Sequence, residues 1–254
     1  MLAGRPVGVI LRSLVGRQHY EALAGMARTL PQFADCFSRY LLGRGSYPFQ
    51  VAIRTPSGRI RPTLYSHADM LTVNEVFCRL DYRVPDDLKV AVDIGSNIGL
   101  SALYFLTRNR SSRAYLFEPV PRNIERLTGN LAAFRDRYAL SPVAIADRSG
   151  DAAFGVEPSG RYGGLTVEAR EHIKVRCLHV NEALSGILGK EREVDVLKID
   201  TEGTEWQIVQ CIAPEIRERI GLILLEGTAG VRRIEREAPG RYSALPISTP
   251  SSPR

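Results

Sequence analysis

Cysteine, tryptophan and lysine are scarce in this chain of 254 residues. The four cysteines are scattered and form no CxxC pair, so a zinc ribbon or a thioredoxin-like redox site has no support. We expect reduced thiols and a cytoplasmic protein. No signal peptide is apparent, and no apolar run reaches the about 18 residues that a membrane-spanning helix needs. The sequence therefore predicts neither a disulfide-stabilised nor a membrane-spanning protein.

Charge is unevenly distributed along the chain, although the net charge is +6. Residues 1–88 carry 11 basic and 7 acidic groups, or +4, while residues 89–227 carry −1 and residues 228–254 carry +3. A basic amino-terminal segment can contact an anionic lipid surface, so peripheral membrane contact is one expectation and a solvated surface is the other. Most of the basic residues are arginines, and this composition alone is weak support for nucleic-acid binding.

Buried strands and helices alternate in the middle of the chain. Five apolar runs indicate strands, at residues 89–95, 114–119, 140–147, 194–200 and 222–227. Strands that alternate with helices predict an α/β fold with a doubly wound parallel sheet. Between the third and fourth strands the pattern changes to several short strands, which we expect to lie beside the active face. The predicted organisation is a helical and β-hairpin segment over 1–88, a ligand-binding sheet domain over 89–227, and a short helix with a disordered tail over 228–254.

The first chemical motif follows the first strand. It reads Asp93-Ile-Gly95-Ser96-Asn97-Ile-Gly99, a G-x-N-x-G spacing that differs from the G-x-G-x-x-G of dinucleotide dehydrogenases. Its glycines allow a tight turn and a close approach of the backbone to a ligand. A carboxylate at Asp93 repels a pyrophosphate but pairs with an ammonium group. The motif therefore favours a cofactor that has an amino-acid moiety, with an ordinary tight turn as the alternative.

The second motif is Glu118-Pro119, at the end of the second strand. An acidic residue about 20 positions beyond a glycine turn can hydrogen-bond both hydroxyls of a ribose. A surface glutamate is the alternative interpretation. Together the two motifs describe an adenosine that carries an amino-acid tail, which is S-adenosylmethionine.

The third motif, Lys198-Ile-Asp200-Thr-Glu202-Gly-Thr-Glu205-Trp206, spans the end of the fourth strand and the start of a helix. Open α/β sheets bind ligands at the carboxyl ends of their strands, so Asp200 and Glu202 are candidate site residues. Glu205 lies in the first helical turn, where the helix dipole favours an acidic residue, and a structural role fits it equally well. We expect Trp206 to pack rather than to stack on a substrate.

In combination, these segments carry a family resemblance. VDIGSNIG, FEPVPRNIERLTGNL, VAIADRSGD, VDVLKIDTEGTEW and LILLEG resemble successive signatures of the FkbM-type methyltransferases, and HADMLTVNEVFCRLDY resembles the segment that leads into them. The resemblance implies a class I Rossmann-like fold. It also implies S-adenosylmethionine-dependent O-methylation of a hydroxyl on a sugar, glycolipid, polysaccharide or polyketide-type natural product.

The resemblance also implies roles for individual residues. The methionine end of the cofactor is assigned to the loop after the first strand, its ribose to the end of the second strand and its adenine to the third strand. The residues so assigned are Asp93, Gly95, Ser96, Asn97, Gly99, Glu118, Pro119 and Ala144. Asp200 and Glu202 are assigned to the transfer site.

An alcohol acceptor needs a base within hydrogen-bond reach, or a metal that makes it more acidic. The candidate acids at the ends of strands four and five are Asp200, Glu202 and Glu226, and Asp200 with Glu226 could hold Mg²⁺. His179 is another possible base, but its alternating surroundings favour a core or surface histidine.

Two other functions remain open. A nucleic-acid methyltransferase fits the basic composition, but the acidic Asp200 loop would repel phosphates. A degenerate, non-catalytic S-adenosylmethionine-binding protein is suggested by the carboxyl terminus, which is rich in proline and serine. We predict that the last two strands of the sheet are absent and that strand five is an exposed edge, through which the protein would oligomerise or aggregate.

Overall fold

Helices cover both faces of a central sheet in this protein. The computed structural model describes residues 17–157, 163–167, 169–227, 230–238 and 241–242. The helices are α1 (Arg17–Thr29), α2 (Phe33–Leu42), α3 (His67–Val73), α4 (Leu100–Leu106), α5 (Pro121–Asn130), α6 (Val180–Leu188), α7 (Glu205–Cys211) and α8 (Pro214–Arg217), with a π-helix at Asn74–Arg79 and a 3₁₀-helix at Ala132–Arg137. Among the described residues, none of the helices combines the length and the apolar character needed to span a bilayer.

Fifteen strands are described, and seven of them form the central sheet. They are β1 (Phe49–Gln50), β2 (Ile53–Thr55), β3 (Gly58–Ile60), β4 (Thr63–Leu64), β5 (Val90–Ile94), β6 (Arg113–Phe117), β7 (Tyr138–Ser141), β8 (Ala144–Ala146), β9 (Gly150–Val156), β10 (Gly163–Gly164), β11 (Glu171–His179), β12 (Val194–Ile199), β13 (Ile220–Gly227), β14 (Gly230–Ala238) and β15 (Arg241–Tyr242). The central order is β15-β14-β13-β12-β5-β6-β7, with β7, β6, β5, β12 and β13 parallel. The predicted doubly wound parallel sheet is confirmed.

Alternate residues of the central strands enter two separate cores. Ala91 and Leu224 belong to the core under α4, whereas Val92 and Ile223 belong to the core under α6, α7 and α8. All five residues of β5 are buried, since helices cover both faces of the sheet. This burial holds β5 in place, and the motif that begins at Asp93 lies at the end of this strand.

The amino-terminal segment packs on the α4 face of the sheet. Met26 of α1, Leu30 directly after it and Met70 of α3 are fully buried in the same core as Leu103 and Phe105 of α4. The short pairs β1–β4 and β2–β3 are antiparallel. The segment therefore lies against the sheet, and its π-helix comes close to the carboxyl ends of the strands.

The predicted third strand, residues 140–147, is split in the structure. Tyr138–Ser141 closes the central sheet, whereas Ala144–Ala146 belongs to a separate four-stranded sheet of order β10-β9-β11-β8. Pro142 lies between them and has no N–H to donate to a ladder, which explains the break. The short strands expected after it are confirmed as β9, β10 and β11.

The prediction for the carboxyl terminus is wrong. The residues expected to form a helix form β14, which pairs antiparallel with β13, and β15 pairs with β14. Val231, opposite Glu226, packs against the core under α4, and Ile234, opposite Ile223, packs against the core under α6, α7 and α8, so β14 adds one apolar residue to each face of the sheet. Strand five is therefore covered on both sides, which removes the basis for oligomerisation through it. The predicted tail beyond residue 242 lies outside the described residues.

Candidate active site

The loop after β5 is held in a conformation that needs its glycines. Gly95 and Gly99 have φ of +77° and +86°, and Asn97 has φ of +45°. A Cβ on Gly95 would overlap the backbone carbonyl oxygen of Asp200. The N–H groups of Gly95 and Ser96 both donate to the Phe117 carbonyl oxygen, at 3.0 and 3.1 Å. The loop is therefore fixed between the ends of β6 and β12, and its backbone faces the space above the sheet.

Glu118 lies at the end of β6, as predicted, but it is a buried carboxyl and is only 4% exposed. Its Oε2 accepts from the Asn97 N–H at 2.8 Å. Its Oε1 accepts from the Val120 N–H at 3.0 Å and from Asn123 Nδ2 at 3.3 Å. Burial raises the pKa of Glu118 to about 7, although these hydrogen bonds lower it. A carboxylate has about four acceptor positions, so about one remains for a ligand.

Asn123 is a site residue that the sequence motifs did not assign. Its side chain is 4% exposed and lines the same cavity as Glu118. Among the described residues, its Oδ1 has no hydrogen-bond partner. A buried amide oxygen without a donor is costly, so this atom fits a ligand that supplies an N–H or O–H group. The spacing Glu118-Pro-Val-Pro-Arg-Asn123 was its signal in the sequence.

Lys198 is a second site residue to which the sequence motifs assigned no role. Its ammonium group is buried and donates to the Gly95 carbonyl oxygen at 2.8 Å. It also pairs with Asp93 Oδ1 at 3.1 Å and with Asp200 Oδ2 at 3.3 Å. Burial disfavours its charge, but the two carboxylates outweigh burial and raise the pKa of Lys198. A lysine within a buried apolar strand needs charged partners. The position of Lys198 in an apolar run was therefore the signal in the sequence for a buried ion pair.

Asp93 does not have the surroundings that its predicted role required. Its side chain is fully buried, accepts a 2.5 Å hydrogen bond from Ser101 Oγ and is paired with Lys198. The ammonium group that Asp93 binds in the structure thus belongs to the protein. Its carboxylate supports the Gly95 loop from behind and does not line the cavity in front of it.

The loop after β12 is shaped by Glu205. Its carboxylate accepts from the N–H groups of Thr201 and Gly203, each at 2.9 Å, so the structural interpretation of this residue fits best. Glu202 has a positive φ of +57° within this loop. Asp200 is partly exposed, with 27% of its side-chain surface accessible. The loop therefore presents Asp200 and Glu202 beside Gly95.

The structure also tests the predictions for Trp206, which was expected to pack, and for His179, which was expected to be a core or surface histidine. Trp206 is 45% exposed and lines the larger cavity, so the prediction that it packs is wrong. It is the second residue of the short helix α7. His179 caps α6, where its Nδ1 accepts from the Asn181 N–H at 3.1 Å, and it lines neither of the two cavities at the site.

Glu226 lies near the end of β13 and accepts a hydrogen bond from the Tyr82 hydroxyl. Burial raises the pKa of Glu226 to about 7, and the negative charges of Glu75 and Asp81 add to the effect. Tyr82, Glu75 and Asp81 all come from the amino-terminal segment. The site is therefore built from that segment as well as from the sheet.

Two adjoining cavities lie above the carboxyl ends of β5, β6, β12 and β13. The larger has a volume of about 950 Å³, and the smaller, between the Gly95 loop and the four-stranded sheet, has about 60 Å³. Both are lined by Gly95, Asn97, Asp200 and Glu202. Pro119 and Ala144 line the small cavity, and Ser96 and Glu226 line the large one. Of the predicted site residues, Asp93 and Gly99 line neither.

The alternative in which Asp200 and Glu226 hold Mg²⁺ has no support. Within the part of the chain that the structure describes, no three His, Cys, Asp or Glu side chains are grouped so that they could hold a metal ion. Asp200 instead faces the Lys198 ammonium group, and Glu226 faces the Tyr82 hydroxyl.

Part of the chain resembles one region of a much longer curated protein. The sequence is 25% identical over 195 residues to the AMB antimetabolite synthetase AmbE of Pseudomonas aeruginosa, a match that covers 61% of this chain and 9% of that protein. The chain thus spans less than a tenth of the length of this curated relative.

Solved methyltransferases resemble the chain more distantly. A precorrin-6y C5,15-methyltransferase from Geobacter metallireducens is 17% identical, with a TM-score of 0.33 and coverage of 57% of this chain and 56% of that one. A putative protein-L-isoaspartate O-methyltransferase from Plasmodium falciparum, solved with S-adenosyl-L-homocysteine, is 12% identical, with a TM-score of 0.35 and 72% coverage of each chain.

The central sheet is mainly parallel, a glycine loop follows β5, and a buried acidic residue follows β6. This arrangement is the architecture of class I S-adenosylmethionine-dependent methyltransferases. The family model for the methyltransferase FkbM domain matches residues 93–229, which is 137 of the 254 residues. The chain belongs to this FkbM methyltransferase family.

Proposed function

We propose that the protein transfers a methyl group from S-adenosylmethionine to a hydroxyl of a sugar, glycolipid, polysaccharide or polyketide-type natural product. The observation that supports this most strongly is the cavity of about 950 Å³, which is lined by Glu226, Asp200 and Glu202 and reaches the Gly95 loop. Its size suits a small-molecule acceptor. Its carboxylates suit an acceptor that must lose a proton.

The residues around the smaller cavity fit an adenosine. Asn123 Oδ1 and the open position of Glu118 are two buried acceptors for the two hydroxyls of a ribose. Ala144 and Pro119 line the rest of that cavity and provide apolar contact for a base. Gly95, Ser96, Asn97 and Gly99 form the loop proposed for the methionine end, with Asp93 supporting it through Lys198.

Entry of an adenosine requires the cover of the small cavity to move. At about 60 Å³ it is well below the roughly 300–1,000 Å³ of small-molecule sites. Gly163 and Leu165 of the segment 163–167 line it, and Thr166 Oγ1 of the same segment donates to the Glu202 carbonyl oxygen at 3.2 Å. We expect this segment to shift when the cofactor binds.

Glu226 is the residue that we propose as general base. When bound, S-adenosylmethionine supplies an electrophilic methyl group, so the protein has to remove the proton of the acceptor hydroxyl. A base works best when its pKa lies near the working pH, and the pKa of Glu226 is about 7. Asp200 is held close to Lys198, and it orients the acceptor together with Glu202.

The structure weakens both alternatives to this function. The degenerate interpretation depended on a missing part of the sheet, but β14 and β15 are present. A nucleic-acid substrate would bring phosphates toward a cavity lined by Glu75, Asp81 and Glu226. The relative AmbE is named an antimetabolite synthetase, which favours a small natural product among the acceptors. The cytoplasmic location and any membrane contact stay predictions.

Labelled methyl transfer tests the proposal whichever molecule the acceptor is. The purified chain would be incubated with S-adenosylmethionine that carries an isotopic methyl label, together with separate lipid, polysaccharide, small-metabolite and nucleic-acid fractions of a cell extract. We expect label in one of the first three fractions, in a form that resists mild alkali as an ether does. Label in nucleic acid, or only in alkali-labile esters, would contradict O-methylation of a hydroxyl.

Two glutamate variants provide the control. Glu118→Ala should abolish labelling, because it removes the proposed ribose acceptor. Glu125→Ala, at an exposed glutamate of α5 only seven positions away, should leave labelling unchanged.

A further inference from the structure

The hydrogen bond between Tyr82 and Glu226 joins two parts of the chain that are 144 positions apart. Tyr82 follows the π-helix of the amino-terminal segment, whereas Glu226 lies in β13 of the sheet. Both residues line the large cavity. This is a direct side-chain contact between the amino-terminal segment and the proposed base.

The surroundings of Tyr82 hold its hydroxyl in one place. The side chain is only 4% exposed, and its ring stacks on Phe105 of α4 with 6.4 Å between centroids and 17° between planes. The Lys198 ammonium group lies 5.9 Å from the centre of the ring. A ring packed in this way loses little further freedom when its hydroxyl binds a carboxylate.

The backbone before Tyr82 is unusual in a way that directs it into the site. Asn74–Arg79 is a π-helix, a rare form that is frequent at functional sites. It ends at Leu80, which has φ of +60°, so the chain turns sharply and Asp81 and Tyr82 face the sheet. The π-helix and the strained backbone of Leu80 thus directly precede the residue that contacts Glu226.

The charges around Glu226 have opposite signs. Glu75 and Asp81 disfavour its ionised form, and Arg79 is paired with Asp81 at 2.5 Å. Lys198 of β12, Asp200 of the loop after β12 and Arg232 of β14 line the same cavity. Among these groups, the Tyr82 hydroxyl is the one that donates a hydrogen bond to the Glu226 carboxylate.

We propose that Tyr82 is a positioning residue of the methyl transfer, whose hydroxyl holds the Glu226 carboxylate toward the acceptor cavity and favours its ionised form. This inference rests on the proposed function, in which Glu226 receives the acceptor proton. A carboxylate that loses a donor becomes a weaker acid, because hydrogen bonding to the charged form stabilises it. Without the Tyr82 hydroxyl, Glu226 should therefore hold its proton to higher pH.

The test is a carboxyl-carbon NMR titration of the full chain labelled in its glutamate side chains. Glu226→Gln assigns the Glu226 signal by its absence. Tyr82→Phe should move the titration midpoint of Glu226 upward by about one pH unit, the effect of losing one hydrogen bond to a charged group. The acidic limb of the labelled-methyl transfer reaction should move in the same direction.

Tyr115→Phe is the matched control for this substitution. Tyr115 donates a comparable hydrogen bond to Glu191 Oε1 at 2.8 Å, and neither residue lines the large cavity. This variant should leave the Glu226 midpoint and the transfer reaction unchanged.

An unchanged Glu226 midpoint in folded Tyr82→Phe would overturn the inference. If that variant does not fold, fluorotyrosine placed at position 82 keeps the ring and provides a stronger donor. It should then lower the titration midpoint of Glu226, and an unchanged midpoint would also overturn the inference. These titrations need neither cofactor nor acceptor, so a chain that shows the Tyr82 effect but transfers no label contradicts the proposed function alone.

Discussion

Replacement of Glu118 by glutamine removes one buried negative charge and keeps the size of the side chain. The carboxylate accepts hydrogen bonds from Asn97, Val120 and Asn123, so an amide at this position must turn one NH₂ group toward a donor. That mismatch destabilises the fold by about 1–3 kcal/mol at every pH. The loss of the charge acts in the opposite direction, and its effect depends on pH.

The size of the charge effect follows from the pKa of Glu118, which is raised from 4.5 to about 7. Below pH 4.5 the carboxyl is protonated in both the folded and the unfolded chain. As the pH rises toward 7 the unfolded chain ionises first, so the wild-type protein loses stability and then levels off above pH 7. A difference of about 2.5 pH units corresponds to about 3 kcal/mol. Glu118→Gln should lack this loss.

Denaturant unfolding of both proteins between pH 4.5 and 8 measures the effect. The unfolding free energy of Glu118→Gln relative to wild type should rise by about 3 kcal/mol across this range, and Glu226 cancels because both proteins contain it. In calorimetry at pH 8, the variant should bind S-adenosylmethionine about ten- to a hundredfold more weakly. A stability difference that does not change with pH would refute the assignment of Glu118 as a buried, charge-destabilised carboxyl.

Three further outcomes follow from the site. Gly95→Ala should abolish cofactor binding in calorimetry, since its Cβ would overlap the Asp200 carbonyl oxygen and its φ is +77°; cofactor affinity like that of the wild type would contradict the fixed loop. Asp200→Asn should bind the cofactor within a few-fold of wild type yet transfer label about tenfold more slowly or worse, and equal losses in binding and transfer would remove its role at the acceptor. Trp206 is the single tryptophan and lines the large cavity, so S-adenosylhomocysteine should change the protein fluorescence at the concentration where calorimetry shows binding; unchanged emission at saturation would place Trp206 away from the bound ligand.

Strong local patterns in the sequence predict the sheet well. Within the apolar runs at 89–95 and 194–200, all of β5 and all of β12 except Asp195 are buried, and such strands can be predicted without their neighbours. The run at 140–147 predicts one strand, although Pro142 divides it. The strand Gly230–Ala238 is not predicted because its pairing with β13 is a property of the sheet and is not visible in its own charged sequence.

Contacts between distant residues are the part of the site that the sequence does not reveal. Gly95, Asn97 and Glu118 follow from local spacing, and the structure brings them together around the small cavity. The pairing of Asp93 with Lys198 and of Glu226 with Tyr82 depends on tertiary packing. Only the presence of Lys198 inside an apolar strand hints at a buried partner.

Calorimetric titration of the wild-type chain with S-adenosylmethionine and, separately, with NAD tests the cofactor assignment. One molecule of S-adenosylmethionine should bind per chain, with the affinity reduced in Glu118→Ala and unchanged in Glu125→Ala. NAD should not bind, because the Gly95 loop and the carboxylates around it do not suit a pyrophosphate. Binding of NAD without binding of S-adenosylmethionine would show that this site is not built for S-adenosylmethionine.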